Sequence, residues 1–212
     1  VDGAFYNAGQ SCCAIERIYV EQAIYPKFLE AFVELTRTYR LGDPKDPATT
    51  IGPLASKSQL ACLDGKVREA VVRGGRLALD PASYDVPRQG WFFAPAVVAE
   101  APQDCSLMRE ESFGPVIGIL PVSGDEEAVR LMNDSPYGLT ASIWTMDEER
   151  ARRIGERVET GTFYMNRCDY LDPALPWTGV KDTGRGATLS RYGLLQLSRL
   201  KSMHLRVKLP GT

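Results

Sequence analysis

Two adjacent thiols, Cys12 and Cys13, stand in the short polar turn of FYNAGQSCCAIERIYV (residues 5–20), just ahead of an apolar run. A thiolate attacks carbonyl carbon readily. An ordinary thiol is mostly protonated at neutral pH and needs a base, a cation or a helix N-terminus to activate it. The sequence has one histidine, His204, near its far end, which makes a Cys–His arrangement a weak route. Metal binding is weaker still. The cysteines at 12, 13, 62, 105 and 168 show no Cys-x-x-Cys spacing, and His204 has no partner. A disulfide between adjacent cysteines would be strained. Two roles then remain for Cys12. Free cysteine is among the most buried residue types, so it can be packing. Gly9, Gln10 and Ser11 also place it in a turn whose backbone N–H groups can face an oxyanion. The residue types alone leave nucleophile and packing residue both open.

Two other stretches carry polar groups at close spacing. REESFGPV (109–116) holds the neighbouring carboxylates Glu110 and Glu111. Adjacent residues point in different directions, so they make a poor acid–base pair, although one can bind a ribose diol while the other faces solvent. GVKDTGRG (179–186) is rich in glycine, but it is neither a P-loop nor a Gly-x-Gly-x-x-Gly fingerprint, and the latter is absent from the whole sequence.

The elements that must position these residues alternate along the chain. AIERIYV (14–20) reads as a strand. In residues 25–40 the apolar side chains Tyr25, Phe28, Leu29, Phe32, Val33 and Leu35 fall at helical spacing on one face, and Gly42, Asp43 and Pro44 stop the helix. A second helix is expected from Ser56 to Arg73, ended by Gly74 and Gly75, followed by a short strand over 76–80. Residues 91–101 and 115–123 read as buried strands, 124–134 as a helix and 140–146 as a strand. A helix over 147–159 is capped by Asp147, and a strand covers 161–166. Strand–helix alternation predicts an α/β domain with a mostly parallel sheet flanked by helices. From Asn166 to Gly186 periodicity is lost and a long loop is expected. In parallel sheets ligand sites gather at the carboxyl ends of the strands, so Cys12 and this loop are expected at that rim. SMHLRVKL (202–209) alternates like an exposed or edge strand.

Composition excludes several classes. The 212 residues are 44% hydrophobic and 25% charged, ordinary for a globular domain with a sizeable core. A net charge of −2 without a basic stripe gives no footprint for nucleic acid. No apolar run approaches a membrane span, and no signal-peptide pattern opens the chain. An odd count of five cysteines at irregular spacing fits a reducing, cytoplasmic setting better than a disulfide framework.

Taken together the motifs resemble those of the aldehyde dehydrogenase superfamily over essentially all 212 residues. FYNAGQSC is similar to the family's Phe-x-x-x-Gly-Gln-x-Cys signature, and EESFGPV to its Glu-Glu-x-Phe-Gly-Pro cofactor motif. LTASIWT, GTFYMNRCDYLDPALPWTGVKDTGRG and RLKSMHLRV match later blocks in order. The resemblance implies the family's catalytic-domain fold and NAD- or NADP-dependent oxidation of an aldehyde to an acid, or to an acyl thioester in some branches. It makes Cys12 the nucleophile and Cys13 merely its follower. Glu111 is implied to hold the nicotinamide ribose, Phe113 to pack beside the nicotinamide, and Gln59 to lie on the ribose side. Leu171 and Trp177 fall where the family lines its substrate tunnel with aromatics. Leu171 departs from the common aromatic, and Pro-Trp-Thr-Gly from the usual Pro-Phe-Gly-Gly, which leaves the substrate open.

The family's dinucleotide-binding domain, with its water-activating glutamate, oxyanion asparagine and cofactor-gripping lysine and glycines, has no counterpart before Val1. The expectation is a catalytic domain, the C-terminal portion of a longer subunit. It would be nearly inert alone, since losing one oxyanion donor costs about 10²–10³ in rate. Residues 198–209 are expected to form a terminal oligomerisation strand of a homodimer or homotetramer. Two rival readings stand beside this one: a stand-alone cysteine acyltransferase or hydrolase using Cys12, and a non-enzymatic oligomerisation module presenting an open edge.

Overall fold

A computed structural model describes residues 1–168 and 170–207. The chain opens with the short helix α1 (Asp2–Phe5), a single 3-10 turn (Tyr6–Gly9) and the strand β1 (Arg17–Glu21). Helices α2 (Tyr25–Arg37) and α3 (Lys57–Val72) follow, then β2 (Arg76–Leu79), β3 (Ala96–Ala99), α4 (Ser106–Arg109) and β4 (Val116–Val122). These strands form one sheet in the order β1-β4-β3-β2. The pairs β1–β4 and β4–β3 are parallel, and β2 joins the edge antiparallel. The mostly parallel sheet flanked by helices is as the alternation predicts.

The core sits where the two middle strands run. Every residue of β3 is buried, as are Val116, Ile117 and Ile119 of β4. Continuous apolar runs of this kind suit strands covered on both faces. On α2 the buried stripe is Tyr25, Leu29, Phe32, Val33 and Thr36. Leu35, expected on that face, is instead 55% exposed. At 100° per residue it falls well off the stripe, and Phe28 at its margin is half-buried. The expected N-cap of α3 is present: the Ser56 hydroxyl accepts from the Ser58 N–H.

A second, smaller cluster lies under α5 (Asp125–Asn133) and α6 (Glu148–Gly155). Val129, Ile154 and Val158 pack there with Ala141, Ile143 and Phe163. The last three come from β6 (Thr140–Ile143) and β7 (Thr162–Met165), a parallel pair reached after the two-residue β5 (Tyr137–Gly138). Asp147 caps α6 by accepting from the Arg150 N–H at 2.9 Å. Arg150 ties the cluster to the main sheet, because its guanidinium binds Asp125 at 2.6 Å and also Glu21 at the end of β1.

Several expected spans are shorter. Only Ala96–Ala99 of 91–101 is strand, and Ile143 ends β6 before the exposed Trp144 and Met146. The 166–186 segment is not structureless. Within it β8 (Trp177–Thr178) pairs with β10 (Ala187–Thr188), and β9 (Val180–Lys181) pairs with β5, before the final helix α7 (Ser190–Gln196). Two-residue pairings leave no periodicity to read. The tail over 201–206 is exposed and forms no strand within this chain, while Lys208 and Leu209 lie outside the described residues. No helix among the described residues is long and apolar enough to cross a membrane.

Acid should weaken this fold, and the sign follows from its carboxylates. Hydrogen bonds from Ser106 hold Glu69 below its usual range, Arg73 does so for Asp104, Arg150 for Asp125, Arg157 for Glu126 and Ser123 for Glu127. Depressed values mean that the stability they contribute is present above the unfolded-state value and lost as pH falls through the folded one. Glu16, raised by burial, acts in the opposite sense. Urea midpoints should fall between about pH 6 and pH 3, and Arg150→Met should flatten that fall. An unchanged slope in the variant would remove Arg150 from the account.

Candidate active site

Cys12 lies in the turn between the 3-10 segment and β1, a few residues before the strand begins. The expectation that it sits at the strand carboxyl ends is corrected. Glu111 and Phe113 likewise precede β4, the parallel neighbour of β1, so both turns belong to the amino ends of adjacent strands. The reason is a close backbone approach between them. Gly9 has φ +70, and a Cβ placed on it would stand 2.3 Å from the Gly114 carbonyl oxygen. A Cβ on Gly114 would in turn meet the Leu63 side chain at 2.4 Å. One glycine of each motif is therefore demanded by the packing of the two turns on each other and on α3. The carboxyl end of β7 also reaches this rim, because Cys168 packs against Gly3 of α1.

The thiol turn is strained and well tied. Asn7 and Ala8 precede Gly9 with φ 51 and 56, each in a region that costs a non-glycine residue about 1–2 kcal/mol. The Asn7 side chain donates to the Gln10 carbonyl at 2.9 Å, and the Gln10 amide oxygen accepts from the Ala55 N–H at 2.9 Å. Tyr6 donates to the Ser11 hydroxyl, and both oxygens lie within 3.5 Å of the Cys13 sulfur. Cys13 is buried and Cys12 exposed, so only the first of the two sulfurs is presented to an incoming molecule. Partial desolvation pushes the Cys12 thiol up, with Cys13 and then Glu111 adding to it. The groups of this chain therefore favour the protonated thiol. His204 is exposed in the tail.

The structure brings Gln59, Glu111 and Phe113 to the same place and separates the paired carboxylates. Glu110 turns to Lys66 at 3.5 Å, while the exposed Glu111 is near enough to Cys12 to act on its charge. Phe113 has φ 51 and its ring is partly exposed. Gln59 spends its amide on the carbonyls of Ser112 and Phe113, so it supports the turn rather than presenting a free donor. Leu171 is half exposed in the loop after β7, and Trp177 is partly buried where β8 pairs with β10. Both lie on the segment that Cys168 leads into.

Sequence reasoning missed two residues. Glu16 accepts from the Ser112 N–H at 3.1 Å and the Phe113 N–H at 3.3 Å. Lys66, 5% exposed, donates to the Glu111 carbonyl at 2.7 Å. Each left a trace. Glu16 is a carboxylate inside the apolar run AIERIYV, and Lys66 stands on the buried stripe of α3 with Leu63, Val67 and Ala70. A charge on a core-facing stripe signals a buried partner.

Comparison with known proteins identifies the family. Residues 1–203 match the profile of the Aldehyde dehydrogenase family, so the chain belongs to that family. A Succinate-semialdehyde dehydrogenase (NADP(+)) of Mycobacterium leprae is 34% identical over 203 residues, 96% of this chain and 44% of its own length. The crystal structure of NAD-dependent aldehyde dehydrogenase from Sinorhizobium meliloti matches with a TM-score of 0.93 at 32% identity, covering 100% of this chain and 42% of that one. Betaine aldehyde dehydrogenase from Staphylococcus aureus, solved in complex with NAD+, matches with 0.86 at 30%, covering 92% and 39%. The chain thus spans less than half the length of these relatives.

Two outcomes are expected of this site. Brief iodoacetamide treatment of the folded protein should alkylate Cys12 well ahead of the buried Cys13 and Cys105, with a pH midpoint above that of an unperturbed thiol. Cys62, exposed on α3, serves as the accessible reference rather than a protected control. Faster labelling of Cys13 would reverse the assignment. Gly9→Ala should cost upwards of about 2 kcal/mol in urea unfolding, since a left-handed φ and a backbone clash act together.

Proposed function

We propose that this chain is the thiol-bearing part of an NAD- or NADP-dependent aldehyde dehydrogenase, with Cys12 as the nucleophile. The observation that carries the reading is the juxtaposition of one exposed thiol with an exposed carboxylate and an exposed ring on a turn packed against it. These groups fit the nicotinamide-ribose end of a cofactor. Glu111 would take the ribose diol and Phe113 would lie beside the nicotinamide ring. The sequence carries no glycine-rich phosphate cradle, so the chain alone offers only part of such a site.

In this reading Cys12, once deprotonated, adds to the aldehyde carbon and forms a carbon–sulfur bond, giving a thiohemiacetal. Its own backbone N–H faces the oxyanion that develops. A bound nicotinamide cofactor supplies the hydride acceptor. Because the neighbours of Cys12 push its thiol up, a base must take its proton before it attacks. The exposed Leu171 and partly buried Trp177 would border the aldehyde. Substrates as unlike as a semialdehyde and betaine aldehyde in the named relatives keep the substrate class open. Homo-oligomerisation through residues 198–209, exposed over 198–207, belongs to the same proposal.

The chain should be assayed alone and mixed with the nucleotide-binding half of a family member, using an aldehyde series with NAD+ and NADP+. Reduced cofactor should appear only in the mixture, and Cys12→Ser should abolish it while Cys13→Ser retains it. Calorimetry on the chain alone should show no binding at millimolar cofactor. Micromolar affinity would overturn the division of the site. Thioester turnover by the chain alone, with no aldehyde oxidation in either arm, would favour a stand-alone acyltransferase or hydrolase.

A further inference from the structure

We infer that Glu16 is a positioning residue that holds Phe113 in its left-handed conformation and thereby orders the turn that carries Glu111. Its use in catalysis rests on the function proposed above, while the positioning itself does not. The backbone of residues 111–113 is pinned by side chains from two elements. Both oxygens of Glu16 lie 3.1 Å from the Ser112 N–H nitrogen, and one accepts from Phe113 at 3.3 Å. Lys66 takes the Glu111 carbonyl, and Gln59 those of Ser112 and Phe113. Gln59 and Lys66 stand two turns apart on one face of α3, with Leu63 between them against Gly114.

A carboxylate is the only one of these groups that accepts from the turn rather than donating to it. Desolvation of a carboxylate is costly unless N–H donors are aimed at it. Phe113 carries a side chain at φ 51, a conformation kept only where the surroundings impose it. The two costs offset one another: the half-buried carboxylate captures the N–H groups that the left-handed turn presents. Without that acceptor the turn loses its reason to stay in the conformation that sends Glu110 to Lys66 and parts it from Glu111.

The experiment compares wild type with Glu16→Gln and Lys66→Met, using a destabilised control, Leu29→Ala, which opens the core beneath α2. Native-state hydrogen exchange should show the Ser112 and Phe113 amides losing about tenfold or more of their protection in Glu16→Gln, the scale of one hydrogen bond to a charged acceptor. The second readout is the pH midpoint of Cys12 alkylation. It should fall in Glu16→Gln as Glu111 moves off, fall likewise in Glu111→Gln, and fall no further when the two changes are combined. Leu29→Ala should leave that midpoint where it is. Lys66→Met, which keeps the Glu16 acceptor, should spare the Phe113 amide. Unchanged protection in Glu16→Gln, or additive midpoint shifts in the double variant, would overturn the inference whether or not the protein oxidises aldehydes. If Glu16→Gln does not fold, Glu16→Asp, whose shorter side chain draws the carboxylate away from the turn, takes its place, and unchanged protection of the Ser112 and Phe113 amides there would overturn the inference too.

Discussion

The site depends on one close approach. Where Gly9 meets Gly114, two backbones stand nearer than any Cβ permits, and this contact joins the turn carrying the thiol to the turn carrying Glu111 and Phe113. Because β1 and β4 are parallel neighbours, the segments leading into them lie side by side. Parallel pairing alone would leave them a strand spacing apart. The glycines let the turns interlock, and Leu63 beneath Gly114 fixes their height above the core. Chemistry that needs a thiol, a carboxylate and a ring together is thereby set by packing density rather than by any bond between them.

Strain and burial are spent in the same small volume. Asn7, Ala8 and Phe113 all hold left-handed backbone, and Glu16 and Lys66 are charges drawn in from solvent around the second turn. Each feature is unfavourable by itself. Together they satisfy one another: N–H groups turned inward by unusual dihedrals find a carboxylate, and an ammonium finds a carbonyl. Elsewhere the protein is conventional, with apolar central strands, an amphipathic α2 and helices capped by Ser56 and Asp147.

The elements legible in the sequence were those with long periods. The stripe on α2, the two capped helix starts and the apolar runs of β3 and β4 announced themselves through repetition. The two-residue pairings of β5, β8, β9 and β10 did not, since nothing so short has a period. Leu35 keeps helical spacing with its apolar neighbours yet lies beyond the margin of the buried stripe, so it faces solvent. Gln59, expected on the ribose side of a cofactor, spends its amide on the Ser112–Phe113 backbone, a contact that only coordinates reveal.

By itself the sequence determined the family, because the order of residues around Cys12 and around Glu111 is local information carried by adjacent positions. It also determined that the sheet is mostly parallel, through the alternation of strand and helix. Only the tertiary structure decided that the thiol turn packs on the turn of Gly114, that Glu110 and Glu111 part company, and that Glu16 and Lys66 hold the second turn. Those facts join residues far apart in the chain. Such contacts are selected by how side chains fill space and satisfy buried polar groups once the core has closed, and a reading along the chain has no access to that selection.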